Sequence, residues 1–329
     1  MQQQLTFVGI DVSKLTLDIC ILQDNKPAYS KIKNDLESIE AFFNGYFPTQ
    51  ICVGIENTGC YNYYLYEVLS KLKFSYYVIP PLHLKKSLGL CRGKNDKIDS
   101  YRIAVFLELN QKKLKAYHPQ SPAIKQLQLL LGVRNMRIKI KKQIQNSEEG
   151  YAFNDTDTTD LKQMNHHLIV SVTEQIKEIE KKIQRLINAI PELAVPFKLI
   201  TSIQGVGNIL AWHLLVRTNG FTIIDSARKM ACYAGIAPFE HSSGTSIRGK
   251  TKVSHFADKG LKTLLHMAAM SAVRLVGDFK NYYERKVEEG KSKMSVINAV
   301  RNKIIHRIYA VLKRQTPYQI FLTDNLVTS

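Results

Sequence analysis

Short runs in which apolar and polar residues alternate open the chain. Leu5–Asp11, Leu15–Leu22 and Ala28–Ile32 read as three strands, and Asp24, Asn25 and Pro27 between them are turn formers. From Leu36 the period changes. Leu36, Ile39, Phe42 and Phe43 lie at helical spacing, which predicts a helix over Leu36–Phe47. Ile51–Glu56 is a strand-like apolar run closed by Asn57-Thr58-Gly59. A helix over Tyr63–Leu72, a strand over Ser75–Ile79 stopped by Pro80-Pro81, and a helix over Lys97–Leu109 complete a β-β-β-α-β-α-β-α order.

Three meandering strands followed by alternating helices and strands resemble the ribonuclease-H-like fold. In that fold the first and fourth strands lie side by side, which would make Asp11 and Glu56 neighbours. From about Pro119 the pattern shifts to long helices. The run RNMRIKIKK over Arg134–Lys142 is densely basic and offers Arg134, Arg137, Lys139 and Lys141 to nucleic acid. Val172, Ile176, Ile179, Ile183, Leu186 and Ile190 recur at spacings of 4, 3, 4, 3 and 4, a heptad seam flanked by Glu174, Lys177, Glu178, Lys181 and Lys182. A helical hairpin packed on itself or an intermolecular coiled coil would both satisfy it. The polar stretch Gly150–Asp160 reads as a loop, and Pro191 and Pro196 should break the long helix and start a third region. The expected class is α/β plus α: an α/β domain over residues 1–115, a basic helical and coiled-coil connector over 116–190, and a mostly helical domain over 191–329.

Charge sharpens this picture. The 329 residues carry 46 Lys and Arg against 28 Asp and Glu, a net charge of +18. Such an excess calls for a polyanionic partner, most often nucleic acid. Over Arg228–Arg314 there are 18 Lys and Arg against six Asp and Glu, so most of the excess is concentrated there. An anionic membrane surface is the competing reading of that charge; no segment of about 20 apolar residues is present to span a bilayer, and nucleic acid with no membrane is the expected partner. Met1–Thr6 lacks the layout of a secretory signal. The five cysteines are odd in number and form no C-x-x-C pair, which argues against a disulfide framework or a zinc site and for a reducing cytoplasm.

Four acids stand out against the basic background. Asp11 closes the first strand run within GIDVSK, Glu56 closes the fourth within IENTG, and Asp96 and Asp99 lie one helical turn apart in KNDKIDS. Asp11 alone could cap a turn, and Asp96 could cap a helix. A phosphate loop of actin-like ATPases also begins with a strand and G-x-D, but the second acidic-glycine loop of those chains is missing. Four carboxylates brought together repel unless a divalent cation neutralises them. Two such cations about 3.5–4 Å apart would clamp the attacking and leaving oxygens of a phosphodiester. Arg92, Lys94 and Lys97 nearby would hold the nucleic-acid backbone.

Towards the carboxyl end, Ile203-Gln204-Gly205-Val206-Gly207 looks like a helix-hairpin-helix turn, in which Gly205 and Gly207 would let backbone amides approach a phosphate. Ala234-Gly235-Ile236-Ala237-Pro238 leads into a serine cluster, Ser242, Ser243 and Ser246, followed by the basic residues Arg248, Lys250, Lys252, Lys259 and Lys262. A serine beside such cations could act as a nucleophile; a polar loop that only contacts phosphates is the alternative. Tyr282 and Tyr283 read as packing aromatics, since no Arg-His-Arg constellation accompanies them.

GIDVSK, IENTG, KNDKIDS and the distal Gly-x-Gly, AGIAP and SSG block, in this order, resemble the DEDD transposases of one insertion-sequence family, the bridge-RNA-guided recombinases. The resemblance spans nearly the whole chain. It implies a RuvC-like domain, the fold of Holliday-junction resolvases, in which Asp11, Glu56, Asp96 and Asp99 bind Mg2+ or Mn2+. It also implies a C-terminal transposase domain whose nucleophile is Ser243, with Ser242 and Ser246 as neighbours that could replace it. A structured noncoding RNA pairing with donor and target DNA, a covalent phosphoserine link, and dimers assembling into a tetramer with shared active sites belong to the same expectation. A metal-dependent nuclease or junction resolvase using water is the competing one.

Overall fold

The structure, a computed structural model, describes residues 5–57, 59–87, 95–117, 119–153, 156–243, 247–253 and 257–319; residues 239–243 and 247–253 are described through their backbone. The chain forms two compact units, Met1–Pro119 and Gln120–Ser329.

In the first unit, β1 (Thr6–Val12), β2 (Thr16–Gln23) and β3 (Lys26–Lys33) form an antiparallel meander. Asp24 and Asn25 turn β2 into β3 with φ of 51° and 60°, the positive values a tight hairpin demands. Helix α1 (Leu36–Phe43) is capped by Asp35, whose carboxylate accepts from the Ser38 amide. It stops four residues short of the expected end, just before Asn44-Gly45. β4 (Ile51–Glu56) then lies parallel to β1, followed by α2 (Tyr63–Lys71), β5 (Ser75–Ile79), α3 (Pro81–Ser87) and α4 (Asp96–Asn110).

The sheet order is β3-β2-β1-β4-β5, with the first and fourth strands paired as the ribonuclease-H-like pattern requires. Every residue of Ile51–Ile55 is buried, as befits a strand covered on both faces. One face buries Ile10, Leu17, Ile19 and Ile55 against Ile39 and Phe43 of α1 and Leu65 and Leu69 of α2. The other carries α4, which crosses β1 at Gly9: a Cβ there would run into the backbone of Ser100 and Ala104. That close approach brings the first turn of α4 to the carboxyl ends of β1 and β4.

The second unit begins with α5 (Pro122–Glu149) and α6 (Thr159–Ala189), joined through residues that include a short 3-10 turn. They run antiparallel, because Arg134 pairs with Glu180 while Arg137, further along α5, meets Gln175, earlier on α6. The heptad seam thus packs within its own chain. Ile183 and Ile187 share one core with Ile124, Leu127 and Leu131 of α5. That core continues into α7 (Pro191–Thr201), α8 (Asn208–Arg217), α9 (Ala227–Tyr233), α10 (Lys259–Ala272), α11 (Asp278–Glu288) and α12 (Lys293–Arg314).

Two expectations change here. Pro191 opens α7, where a missing N–H is harmless, but Pro196 lies inside that helix instead of ending one. The serine region is not a simple loop: β6 (Pro238–Ser243) and β7 (Ile247–Val253) form an antiparallel ribbon. Its residues are too polar to announce strands by alternation.

Candidate active site

Asp11 sits at the end of β1, one residue past the Ile10–Ile55 pair, and Glu56 is the last residue of β4. Parallel pairing therefore sets the two acids side by side on one face. The main chain of Glu56 is anchored from behind. Buried Asn62 donates to its carbonyl at 2.9 Å and to Tyr66 Oη at 2.9 Å, fixing where β4 ends.

Asp96 and Asp99 occupy the first turn of α4. Asp96 is not the cap: Asn95 is, with its side-chain oxygen accepting from the Ile98 amide at 2.7 Å. Asp96 is thus not the capping side chain, although as an acid of the first turn it still suits the positive end of the helix. Asp99 accepts from Arg102 at 2.9 Å.

Each of the other three acids acts on the charge of Asp11. The Asp11 carboxyl is pushed up from 3.8 to about 6, first by burial and then by Glu56, Asp96, Asp99 and Asp18. Asp18, not singled out in the sequence, is directly opposite Asp11 on β2. Its alternation with Cys20 in Thr16–Gln23 was the available signal, but only the strand register shows that it joins the acidic row.

Among the described residues no three acids, histidines or cysteines already converge closely enough to hold an ion. Within this group Asp99 is engaged by Arg102. As a donor set, four carboxylates suit a hard divalent cation, since oxygen ligands and net negative charge are what Mg2+ or Mn2+ requires. A divalent charge held there would offset the burial and repulsion that raise the Asp11 carboxyl. These residues fit the cation that the DEDD fold implies.

Of the flanking cations, Lys97 is exposed and its ammonium lies 4.2 Å from the centre of the Tyr29 ring. Arg92 and Lys94 lie outside the described residues. On the hairpin, Lys139 is exposed and Lys141 half-buried, but Arg134 is buried and donates to Glu180 at 2.7 Å. Its charge is satisfied inside the hairpin and not offered to a phosphate. Arg137 donates to Gln175 at 2.7 Å.

The Gly205-Val206-Gly207 turn does join two helices, yet the two glycines differ. Gly205 has φ of 81° and packs against the backbone of Ala268 and Ala272, so helix contact explains it. Gly207 precedes α8 with open space around its α-carbon.

Ser243 is the last residue of β6, paired with Ile247, and Ser242 pairs with Arg248. Lys250 and Lys252 continue along β7; Ser246 lies outside the described residues. Past the ribbon, Asp258 caps α10 by accepting from the Leu261 amide at 2.8 Å, and it pairs with Arg217. Arg217 also meets His213 Nδ1 at 2.6 Å. Burial, then Arg217 and Arg134, hold the imidazole of His213 down at about 4. This relay fixes the start of α10, where Lys259 is exposed and Lys262 half-buried.

Comparison with known proteins adds two matched segments. Residues 8–150 match a profile described as transposase, of the DEDD IS110 type, and residues 197–284 match one described as transposase IS116/IS110/IS902 family. The pilin gene-inverting protein of Moraxella lacunata is 28% identical over 331 residues, covering 95% of this chain and 97% of that protein. An uncharacterized 43.6 kDa protein of insertion element IS110 from Streptomyces coelicolor is 30% identical over 151 residues, 46% of this chain and 36% of its own length. Among solved structures, Thermus thermophilus RuvC with a Holliday junction substrate aligns at a TM-score of 0.29 and 13% identity, over 34% of this chain and 99% of that one.

Proposed function

The chain belongs to the IS110/IS116/IS902 family of transposases, and on that premise we propose that it is an RNA-guided DNA recombinase that cuts and rejoins donor and target DNA through Ser243. The observation that carries the DNA-cutting part of this reading is the grouping of Asp11, Glu56, Asp96 and Asp99 about one half-buried carboxyl; Ser243 and the guide RNA follow from the family resemblance. Those four residues would hold Mg2+, which, when bound, neutralises charge on the scissile phosphate.

The rest is the work of the chain. Oγ of Ser243 attacks a DNA phosphorus and gives up its proton; an O–P bond forms, the bond to one deoxyribose oxygen breaks, and that oxygen takes up a proton to leave as a hydroxyl end. That leaves a serine phosphodiester. Attack by a second strand's hydroxyl reverses the exchange, restoring the serine and joining new DNA. Because one phosphodiester is traded for another, no ATP is needed. Lys259 and Lys262, with Arg248, Lys250 and Lys252, would steady the phosphates. A noncoding guide RNA pairing with donor and target would read sequence, leaving the protein to contact backbone and shape. The protein would act as dimers paired into a tetramer.

The test is a denaturing gel of full-length protein incubated with its RNA, labelled DNA and Mg2+. Ser243→Ala is expected to abolish protein–DNA adducts while copurifying the same RNA. Adducts that persist in this variant would reject Ser243. Free cut ends with no adduct in the wild type would instead favour hydrolysis by water.

A second outcome of the same chemistry is inversion. A relative matched along nearly its full length is named for inverting a pilin gene. Two sites in opposite orientation on one plasmid would distinguish inversion from insertion elsewhere.

A further inference from the structure

The acidic row does not end with the tetrad. Asp11 is opposite Asp18 on β2, and Asp18 is opposite Lys31 on β3. Directly opposed residues of neighbouring strands share a face. Across β4, β1, β2 and β3 the row therefore reads Glu56, Asp11, Asp18, Lys31, with Lys31 Nζ 3.0 Å from Asp18 Oδ2. Two residues back along the strands the register sets Gly9, Cys20 and Tyr29 in a second row on the same face.

Helix α4 covers this face over β1 and β2 but leaves β3, an edge strand, largely exposed. Between α4 and β3 lies a cavity of about 220 Å³ lined by Asp18, Tyr29, Ser30, Lys31, Lys97 and Ser100. Tyr29 is 42% exposed, and Lys97 stands 4.2 Å from its ring centre.

We propose that this groove holds the nucleotide adjoining the scissile phosphate on the DNA strand engaged by the tetrad. The inference rests on the DNA-cutting function proposed above and specifies how that site receives its substrate.

Three features support it. First, charge: five carboxylates in and around the row repel a phosphodiester, whereas Lys31 and Lys97 line the groove with two ammonium groups. Lys31 also neutralises Asp18, so this end of the row is not net acidic. Second, surface: Tyr29 on an edge strand is 42% exposed, and the part of its ring not covered by Lys97 is open to a base or sugar; base–aromatic contacts suit single strands of any sequence. Third, size: at about 220 Å³ the cleft is smaller than the roughly 300–1,000 Å³ of drug-sized pockets, so it can take the base or sugar of one nucleotide and not a duplex.

The experiment measures strand cleavage by the full-length protein with its RNA, as a function of DNA concentration and of salt. Tyr29→Ala is expected to raise KM for DNA about fivefold or more, the loss of one stacking contact, with kcat little changed. The paired change Asp18→Asn with Lys31→Gln leaves no charge unpartnered. It should flatten the dependence of log KM on log salt by about 0.7, one phosphate contact on a single strand. Lys31→Arg should retain the wild-type slope. Asp11→Asn serves as the separate control for the site itself. If Asp11→Asn abolishes cleavage while Tyr29→Ala and the paired change leave KM and its salt slope untouched, the groove is a structural ion pair and this inference falls, but the metal site stands. If Asp11→Asn cleaves like the wild type, the function proposed for the tetrad falls first.

Discussion

Single side chains set the chemistry available to this protein. Asp11 was visible as an acid at a strand end, but its displacement to about 6 depends on burial and on Glu56, Asp96, Asp99 and Asp18. Those neighbours come from three other segments, so no local pattern contains them. Arg134 teaches the reverse lesson. Within RNMRIKIKK it looked like a phosphate ligand, whereas burial on the inner side of α5 turned it towards Glu180. His213 offers the test at this scale. Its imidazole titrates at about 4 in the folded chain against 6.5 ordinarily. Between those values the unfolded chain binds more protons than the folded one, so stability rises with pH across that window and is lost as pH falls through it. His213→Gln should remove on the order of 2–3 kcal/mol of this acid sensitivity, read from urea unfolding at pH 4.5 and 7. An unchanged difference between the two pH values would show that His213 is not held neutral by its surroundings.

At the scale of elements, the amino-terminal unit was legible because its strands are driven by apolar alternation. Ile51–Glu56 and Ser75–Ile79 match the expected bounds, and the turn at Asp24-Asn25 announced itself. The β6–β7 ribbon was not legible, since PFEHSS and IRGKTKV carry no apolar stripe and are held by backbone pairing. Nor was the reason for Gly9. In GIDVSK it read as part of a motif, and only the crossing of α4 shows that the helix backbone occupies the space of a side chain. Gly9→Ala should therefore push α4 off β1, costing about 1–3 kcal/mol or more, and displace Asp96 and Asp99 from Asp11. Denaturant unfolding combined with a cleavage assay checks it: loss of cleavage under conditions where the variant is still folded is expected. A variant as stable and as active as the wild type would mean that α4 does not need this close approach.

For the whole molecule, charge is unevenly arranged. A net +18 chain places its carboxylate group in one unit and concentrates Lys and Arg over Arg228–Arg314 in the other. No helix among the described residues is long and apolar enough to cross a membrane. Everything proposed for this protein depends on whether Asp11, Glu56, Asp96 and Asp99 take up a divalent cation. Manganese titration followed by electron paramagnetic resonance, on full-length protein at pH 7.5, measures that directly. Saturable binding of one or two ions is the predicted result. It should be displaced by excess Mg2+ and abolished by Asp11→Asn or Glu56→Gln in protein whose circular dichroism is unchanged. Mn2+ uptake that is absent from the wild type, or that survives both substitutions undiminished, would contradict the account.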